Sequence, residues 1–124
     1  MLKFVAPLAA ALVLAAPAQA QDAAAGKRAF LKCAACHSIA KGAPNKIGPN
    51  LFGVVGRKAG TAPGFRYSAA MKAKGTGITW DAASLDKWLA RPSAVIPGTS
   101  MAFGGVPNAA ERASIIAYLK KPVP

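Results

Sequence analysis

The sequence predicts an all-α fold in one small domain. Apolar residues recur at spacings of three and four in segments that begin with helix-capping residues, and strict strand-like alternation is scarce. A long segment rich in Gly, Pro and Asn separates these helical patterns. The chain has 124 residues, of which 53% are hydrophobic and 16% are charged, and this composition excludes a disordered protein.

The first twenty residues have the layout of a secretory signal peptide. Lys3 gives a basic start, an apolar run with two prolines follows, and Ala18-Gln19-Ala20 supplies small residues at the exit. An uncleaved membrane anchor is the alternative, but the run is short for a span of about 20 residues. We therefore expect residues 1–20 to be cleaved and residues 21–124 to form one periplasmic domain without a membrane anchor.

The first helix of the domain is expected to begin with Asp22 as its N-cap. Gly26, Ala29, Phe30 and Cys33 then recur at spacings of three and four, which places them on one face. This helix would deliver Cys33 at its C-terminal end.

A long ordered loop is predicted to follow, from Ser38 to Gly64, because Gly, Pro, Asn and Lys dominate its composition. A loop of this length is uncommon in a compact domain unless it wraps something. Residues 68–74 are compatible with a short helix that Gly75 ends.

Two further helices complete the predicted fold. Asp81 is the expected N-cap of one, which ends at Pro92. Asn108 and Glu111 have capping-box spacing at the start of the last helix, which stops before Pro122. Their expected apolar faces are Leu85, Trp88 and Leu89 in the first, and Ile115, Ile116, Tyr118 and Leu119 in the second.

The only two cysteines and the only histidine lie within five residues, as Cys33-Ala34-Ala35-Cys36-His37. This is the C-x-x-C-H signature of covalent haem attachment. The two thiols form thioethers with the haem vinyl groups, and the adjacent imidazole binds the iron. The sequence therefore predicts one covalently bound haem c per chain, attached through Cys33 and Cys36, with His37 as an axial ligand.

Other chemistry for this cluster fits the sequence less well. A thiol-disulfide exchange site is expected at a helix start within a βαβ pattern, which the sequence lacks. Structural zinc needs four ligands, and Cys33, Cys36 and His37 supply three. A structural disulfide is a further alternative, and catalysis by a Ser-His-Asp arrangement would need His37 free of the iron.

The second axial ligand is expected to be a methionine, because the chain has no second histidine. Met71 lies in the helix-compatible segment, where methionine commonly fills gaps in a core. Met101 lies in a loop in which Pro97 and Gly98 favour an irregular backbone that can aim one side chain inward. We expect Met101 to bind the iron, with Met71 as the alternative.

The chain is strongly basic, with 16 Lys and Arg against 4 Asp and Glu and a net charge of +12. A field of this sign attracts acidic partners, although general solubility is an alternative explanation. The basic residues are dispersed rather than grouped in an arm, and export also argues against nucleic acid as a partner.

With these motifs, the chain resembles the bacterial class I cytochromes c, close to their mitochondrial-type branch. The resemblance extends from about Gly26 to Lys120 and follows the family's order: CAACH, GPNLFGVVGRKAGTAPGFRYS, GITW, LARP and IPGTSMAF. It implies a fold in which the N- and C-terminal helices pack together while loops and short helices wrap the haem. It also implies a monomeric carrier of single electrons rather than an enzyme.

The resemblance implies roles for individual residues. The Pro49 carbonyl should hold the His37 ring, and Gly26 and Phe30 should contact the last helix. Trp88 and Met71 stand where the family usually has Tyr and Asn, so the polar network near Met101 should be small and dry. The other residues implied to surround the haem are Arg57, Tyr67 and Trp80 at the propionates, and Thr99 and Phe103 beside Met101.

Partner docking is also implied by the resemblance. Lys32 and Lys46 match basic positions around the exposed haem edge, which predicts transient docking to an acidic oxidase, reductase or dehydrogenase. One alternative is an enzyme or ligand sensor, in which Met101 is loosely held and the iron binds peroxide or a small gas. The other is a tethered module that retains residues 1–20.

Overall fold

The computed structural model describes residues 2–12 and 18–124. Residues 2–12 are exposed and form neither helix nor strand. Within the described ranges the one strand-like pairing is an isolated bridge between Lys58 and Thr79, which confirms the all-α prediction. The helices are α1 (Ala18–Ala29), α2 (Ala69–Lys74), α3 (Ala82–Ala90), α4 (Pro92–Val95) and α5 (Ala109–Lys120), with 3₁₀ turns at Phe30–Lys32 and Gly75–Gly77.

Helix α1 begins earlier than the sequence pattern predicts. It starts at Ala18, so Asp22 lies inside the helix and the prediction that Asp22 is its N-cap is wrong for the full chain. The residues before Asp22 are Ala and Gln, which are good helix formers and extend the helix backwards. Cleavage after Ala20 would leave Asp22 near the new helix start.

The N- and C-terminal helices pack directly against each other, as predicted. Gly26 of α1 lies so close to α5 that a Cβ built on it would overlap the Ser114 carbonyl oxygen and lie 2.7 Å from Tyr118 Cβ. The rings of Phe30 and Tyr118 follow, with centroids 5.3 Å apart. This crossing fixes the end of α1, and therefore the cysteines that follow it.

The predicted caps of α3 and α5 are confirmed. The Ser84 amide donates to Asp81 Oδ1 at 2.8 Å, and the Glu111 amide donates to Asn108 Oδ1 at 2.9 Å. The Glu111 carboxylate instead forms an ion pair with Lys32, next to the first cysteine. Asp81 therefore caps α3, while the first turn of α5 is tied both to its own cap and to the end of α1.

The end of α3 contains an element that the sequence analysis does not predict. Helix α3 ends at Ala90, as Pro92 leads one to expect, but Pro92 then opens the short helix α4. Proline is favoured in a first helical turn because its missing N–H has no intrahelical partner there. Helix α4 leads the chain into the loop that carries Met101.

The segment from residue 38 to 64 is an ordered loop, as predicted. The Leu51 amide donates to the Ser38 carbonyl at 2.8 Å, and the Asn50 side-chain amide donates to the carbonyls of Ala40 and Ala43, each at 2.8 Å. These bonds replace regular secondary structure. They fold the loop back on itself beside the cysteines.

Candidate haem site

A cavity of about 280 Å³ lies between the long loop of residues 38–64, the helices α2, α3 and α5, and the loop after α4. Its lining is mostly apolar. All the residues that the sequence analysis assigns to haem attachment, haem contact and iron ligation line it: Cys33, Cys36, His37, Pro49, Arg57, Tyr67, Trp80, Trp88, Thr99, Met101 and Phe103.

The cysteine and histidine side chains share one wall of this cavity. The backbone turns tightly after Phe30, because the Cys33 amide donates to the Phe30 carbonyl at 2.8 Å and the His37 amide donates to the Cys33 carbonyl at 2.9 Å. Cys33 and Cys36 are both free thiols. Burial raises the pKa of the Cys33 thiol, and the nearby Lys32 opposes this rise.

The ring of His37 is held on two sides. Its Nδ1 lies 2.7 Å from the Pro49 carbonyl oxygen. Because a carbonyl only accepts, Nδ1 carries the hydrogen and Nε2 keeps its lone pair. Gly48 lies against the ring, so that a Cβ built there would be 2.7 Å from Nδ1 and 2.8 Å from Nε2. The ring orientation and tautomer are therefore fixed by the backbone of two consecutive loop residues.

Burial lowers the pKa of His37 below its ordinary value of 6.5, the Pro49 hydrogen bond opposes this, and Lys46 adds to it. Burial is the dominant cause. The lowered pKa favours the neutral ring, and a neutral imidazole is the form that binds a metal.

Met101 is carried by a loop with a well-defined turn before it. The Thr99 amide donates to the Ile96 carbonyl at 3.1 Å, and Gly98 inside this turn has a φ of +84°. The Met101 amide lies 3.2 Å from Thr99 Oγ1, and the Phe103 amide donates to the Met101 carbonyl at 2.9 Å. Thr99 and Phe103 thus support the backbone of Met101 from both sides.

Met71 lines the same cavity from α2. A Cβ built on Gly75 would lie 2.9 Å from Met71 Sδ, so the thioether rests against the backbone of that glycine. The structure therefore brings both candidate methionines to the cavity, one from a helix and one from a loop.

Polar and aromatic residues form another part of the wall. Arg57 Nη2 donates to the Asn50 carbonyl at 3.2 Å, and the Tyr67 hydroxyl accepts from the Ala62 amide at 2.9 Å. The Tyr67 hydroxyl still has its hydrogen to donate. Trp80 packs on Trp88, with ring centroids 5.3 Å apart. A guanidinium and a phenol are groups that can bind a carboxylate.

Much of the remaining apolar lining comes from the predicted faces of the helices, but the part that the long loop and its continuation supply is not predicted from the sequence. Leu51 and Phe65 lie in segments without helical periodicity, and Val54 is buried within the long loop. The sequence feature that could have identified these lining residues is the presence of isolated large apolar side chains in a loop of otherwise polar composition. Such residues need a surface to pack against. The further apolar lining residues are Phe30, Leu51, Val54, Phe65, Leu85, Leu89, Ile115 and Leu119.

The two lysines expected to dock partners are both exposed. Lys32 lines the cavity edge and is paired with Glu111. Lys46 does not line the cavity, but its Nζ donates to the Ala34 carbonyl at 2.6 Å. The structure thus holds the Lys46 charge beside the residues between the two cysteines.

The donor set of the cavity fits a c-type haem. It combines two free thiols, a neutral imidazole, thioethers and mostly apolar walls, together with a guanidinium and a phenol. Within residues 2–12 and 18–124, no group of three His, Cys, Asp or Glu side chains is arranged so that it could hold a metal ion. In the same part of the chain no helix is long and apolar enough to cross a bilayer.

The protein-family model described as cytochrome c matches residues 23–121. A cytochrome c2 from Rhodoblastus acidophilus is 51% identical over 102 residues, which are 82% of this chain and 94% of that protein. A cytochrome c2 from Rhodomicrobium vannielii is 47% identical over 116 residues, 93% of this chain and 91% of that protein. The solved structure of cytochrome cH from Methylobacterium extorquens is 50% identical, with a TM-score of 0.73, and the match covers 80% of this chain and 97% of that one.

These matches define a helical protein that carries a covalent c-type haem. The chain belongs to the cytochrome c family, as a bacterial class I monohaem member. It has the class I cytochrome c fold, binds one haem c, and is an electron carrier rather than an enzyme.

Proposed function

We propose that this protein shuttles single electrons through a haem c attached to Cys33 and Cys36, with His37 and Met101 as the axial ligands. When bound, the haem supplies a one-electron couple between ferrous and ferric iron. The observation that carries the proposal is the convergence of these four side chains on one mostly apolar cavity, with the His37 ring fixed by Pro49 at 2.7 Å.

The surroundings of the two methionines favour Met101 as the ligand. The Met101 loop is held by a turn and by Thr99, so its backbone is fixed while its side chain lines the cavity. The Met71 sulfur already rests against Gly75. A thioether ligand raises the midpoint potential.

The neighbouring residues suit electron transfer better than reaction with a substrate. His37 is the only histidine of the chain, and its Nδ1 is engaged by Pro49, so the chain has no second imidazole for general acid or base catalysis. Ligation by His37 and Met101 would close both axial positions to small molecules. Arg57 and Tyr67 would bind the propionates, with Trp80 beside them.

The protein is proposed to act in the periplasm after removal of residues 1–20. The basic start, apolar run and small-residue exit of this segment support cleavage. The segment from residue 21 to 124 then acts as one domain.

The partners are proposed to be acidic redox proteins that a monomer meets transiently. The net charge of +12 supports attraction to acidic surfaces. The exposed position of Lys46 beside Ala34 supports an approach at the edge of the haem site.

Optical spectra of the oxidised and reduced holoprotein test this function, in the unmodified protein and in Met101→Ala and Met71→Leu. We expect a low-spin spectrum with the weak red sulfur-to-ferric band, lost in Met101→Ala and retained in Met71→Leu. The reverse pattern would make Met71 the ligand. A high-spin or ligand-binding spectrum in the unmodified protein would favour the sensor or peroxidase alternative, and absence of haem would favour thiol chemistry.

A further inference from the structure

The loop that carries Met101 is anchored on α3 shortly after the methionine. Val106 is 1% exposed, and its amide donates to the Leu89 carbonyl at 2.7 Å. The backbone of Gly105 lies against the end of α3, where a Cβ built on this glycine would overlap the Ala90 carbonyl oxygen. These contacts fix the end of the Met101 loop to α3.

Arg112 of α5 binds the same stretch of the loop. Its Nη1 donates to the Val106 carbonyl at 2.9 Å and to the Pro107 carbonyl at 3.0 Å, and its Nε donates to Asp86 Oδ1 of α3 at 2.7 Å. The amide of Val106 is therefore bound to α3 and its carbonyl to α5. One guanidinium thus joins α3, α5 and the end of the Met101 loop.

The position of Arg112 is unfavourable for an isolated helix. It lies near the N-terminal end of α5, where the helix dipole is positive and a cation is disfavoured. Its side chain is 14% exposed, and burial of a charge is a further cost that partners must offset. The Asp86 carboxylate and the two loop carbonyls are these partners. Tertiary contacts therefore hold the guanidinium in place.

The middle of the loop depends on its two anchored ends. Before Met101 the chain is held by the turn of residues 96–99, in which Ile96 is fully buried. Between this turn and Val106, Ala102 and Gly104 are exposed, so the segment has few buried contacts of its own. Weakening the anchor beyond Met101 should therefore let the methionine leave the cavity more often.

We propose that Arg112 is a positioning residue that, together with Asp86, holds the loop in the conformation that keeps Met101 on the iron. The inference rests on the proposed ligation by His37 and Met101. A small ligand can bind only in the fraction of molecules in which Met101 has left the iron, so its apparent affinity follows that fraction. Removing hydrogen bonds from a charged, mostly buried donor raises the fraction.

Imidazole binding to the ferric holoprotein measures this fraction, through loss of the sulfur-to-ferric band during the titration. We expect Arg112→Gln to raise the apparent affinity for imidazole about tenfold, because hydrogen bonds to a charged group are lost. Asp86→Asn leaves Arg112 on the loop and weakens only its fixation, so the affinity should rise about threefold. The double variant should bind within about twofold of Arg112→Gln, since Asp86 acts through Arg112.

Glu111→Gln is the matched control. Glu111 precedes Arg112 on α5, but its ion pair with Lys32 lies at the end of α1 and not at the Met101 loop. Urea unfolding of each variant records any effect on the domain as a whole. The imidazole affinity of Glu111→Gln should stay within about twofold of that of the unmodified protein.

The sulfur-to-ferric band of the unmodified protein separates the two proposals. If the band is present, and the imidazole affinity of Arg112→Gln is unchanged or rises no more than that of Glu111→Gln, the role of Arg112 is wrong while the axial ligation stands. If the band is absent, both proposals are overturned. Should Arg112→Gln not yield holoprotein, Asp86→Asn decides: an affinity about threefold above that of Glu111→Gln supports the anchoring, and an equal affinity contradicts it.

Discussion

Among single residues, Gly48 tightly constrains His37, the side chain that we propose as an axial ligand of the iron. It contacts the imidazole of His37, and its amide donates to the Cys36 carbonyl at 2.8 Å. Pro49, the next residue, accepts from the ring at 2.7 Å. The backbone of Gly48 and Pro49 therefore both contacts the His37 ring and orients it through a hydrogen bond.

Replacing Gly48 with Ala is expected to displace the His37 ring. The added Cβ would lie within 2.8 Å of both ring nitrogens, and overpacking of this kind costs about 1–3 kcal/mol. Urea unfolding of the holoprotein should show this loss, and the optical spectrum should show weakened axial ligation. Gly104→Ala is the control, because a Cβ there meets nothing within 4 Å. Equal stability of the two variants would contradict the assigned contact.

For single residues, the sequence predicts the haem-attachment motif better than it predicts which side chains contact each other. Cys33, Cys36 and His37 are adjacent in the chain, so their spacing is visible without a structure. The ion pair between Lys32 and Glu111 joins residues 79 positions apart, and no local pattern indicates it. The predicted contact of His37 with Pro49 came from the family resemblance.

Among the elements, the crossing of α1 and α5 depends on Gly26. The Ser114 carbonyl occupies the space that a side chain would need, and Tyr118 Cβ closes the other side. Glycine inside a helix normally costs about 1 kcal/mol relative to Ala. The close helix contact is what offsets that cost here.

The variant Gly26→Ala separates these two effects by sign. Helix propensity alone predicts a gain of about 1 kcal/mol, whereas the overlap with α5 predicts a loss of about 1–3 kcal/mol. Chemical denaturation of the holoprotein measures the difference, and we expect the loss. Gly77→Ala, at a position with nothing within 4 Å of the new Cβ, should change stability by less than about 0.5 kcal/mol. A stabilised Gly26→Ala protein would contradict the close crossing.

The sequence predicts the starts of α3 and α5, but not the start of α1. Asp81 and Asn108 are confirmed as caps because each is followed by a strong helical pattern. Asp22 fails because the residues before it also favour helix, so the helix has no reason to begin there. Helix α4 has four residues, too few to show a period.

For the molecule as a whole, the apolar core surrounds the haem cavity, and most of the acidic side chains are paired with other groups. Large apolar residues from the loop, α3 and α5 line one cavity, so the haem completes the core of a small domain. Three of the four acidic residues are engaged: Asp81 caps α3, Asp86 pairs with Arg112 at 2.7 Å, and Glu111 pairs with Lys32. Within the described part of the chain, Lys46 pairs with no carboxylate.

The fixed charge of Lys46 predicts how electron exchange depends on salt. Its ammonium group is held on the Ala34 carbonyl, between the two cysteines, and we propose that an oxidant approaches the haem at this edge. Oxidation of the reduced protein by anionic hexacyanoferrate(III) should slow as ionic strength rises, because the Debye length falls to about 10 Å at 0.1 M. With a cationic cobalt(III) chelate as oxidant, the rate should instead rise with ionic strength.

The variant Lys46→Gln tests whether the position of this charge matters. Its stopped-flow oxidation rate should depend less on ionic strength than that of Lys121→Gln, which removes an exposed charge beyond α5. If the rates do not change with salt, the charge of the protein does not steer the oxidant. If both variants flatten the slope equally, the net charge rather than the position of Lys46 sets the salt dependence, and the proposed role of this edge is wrong.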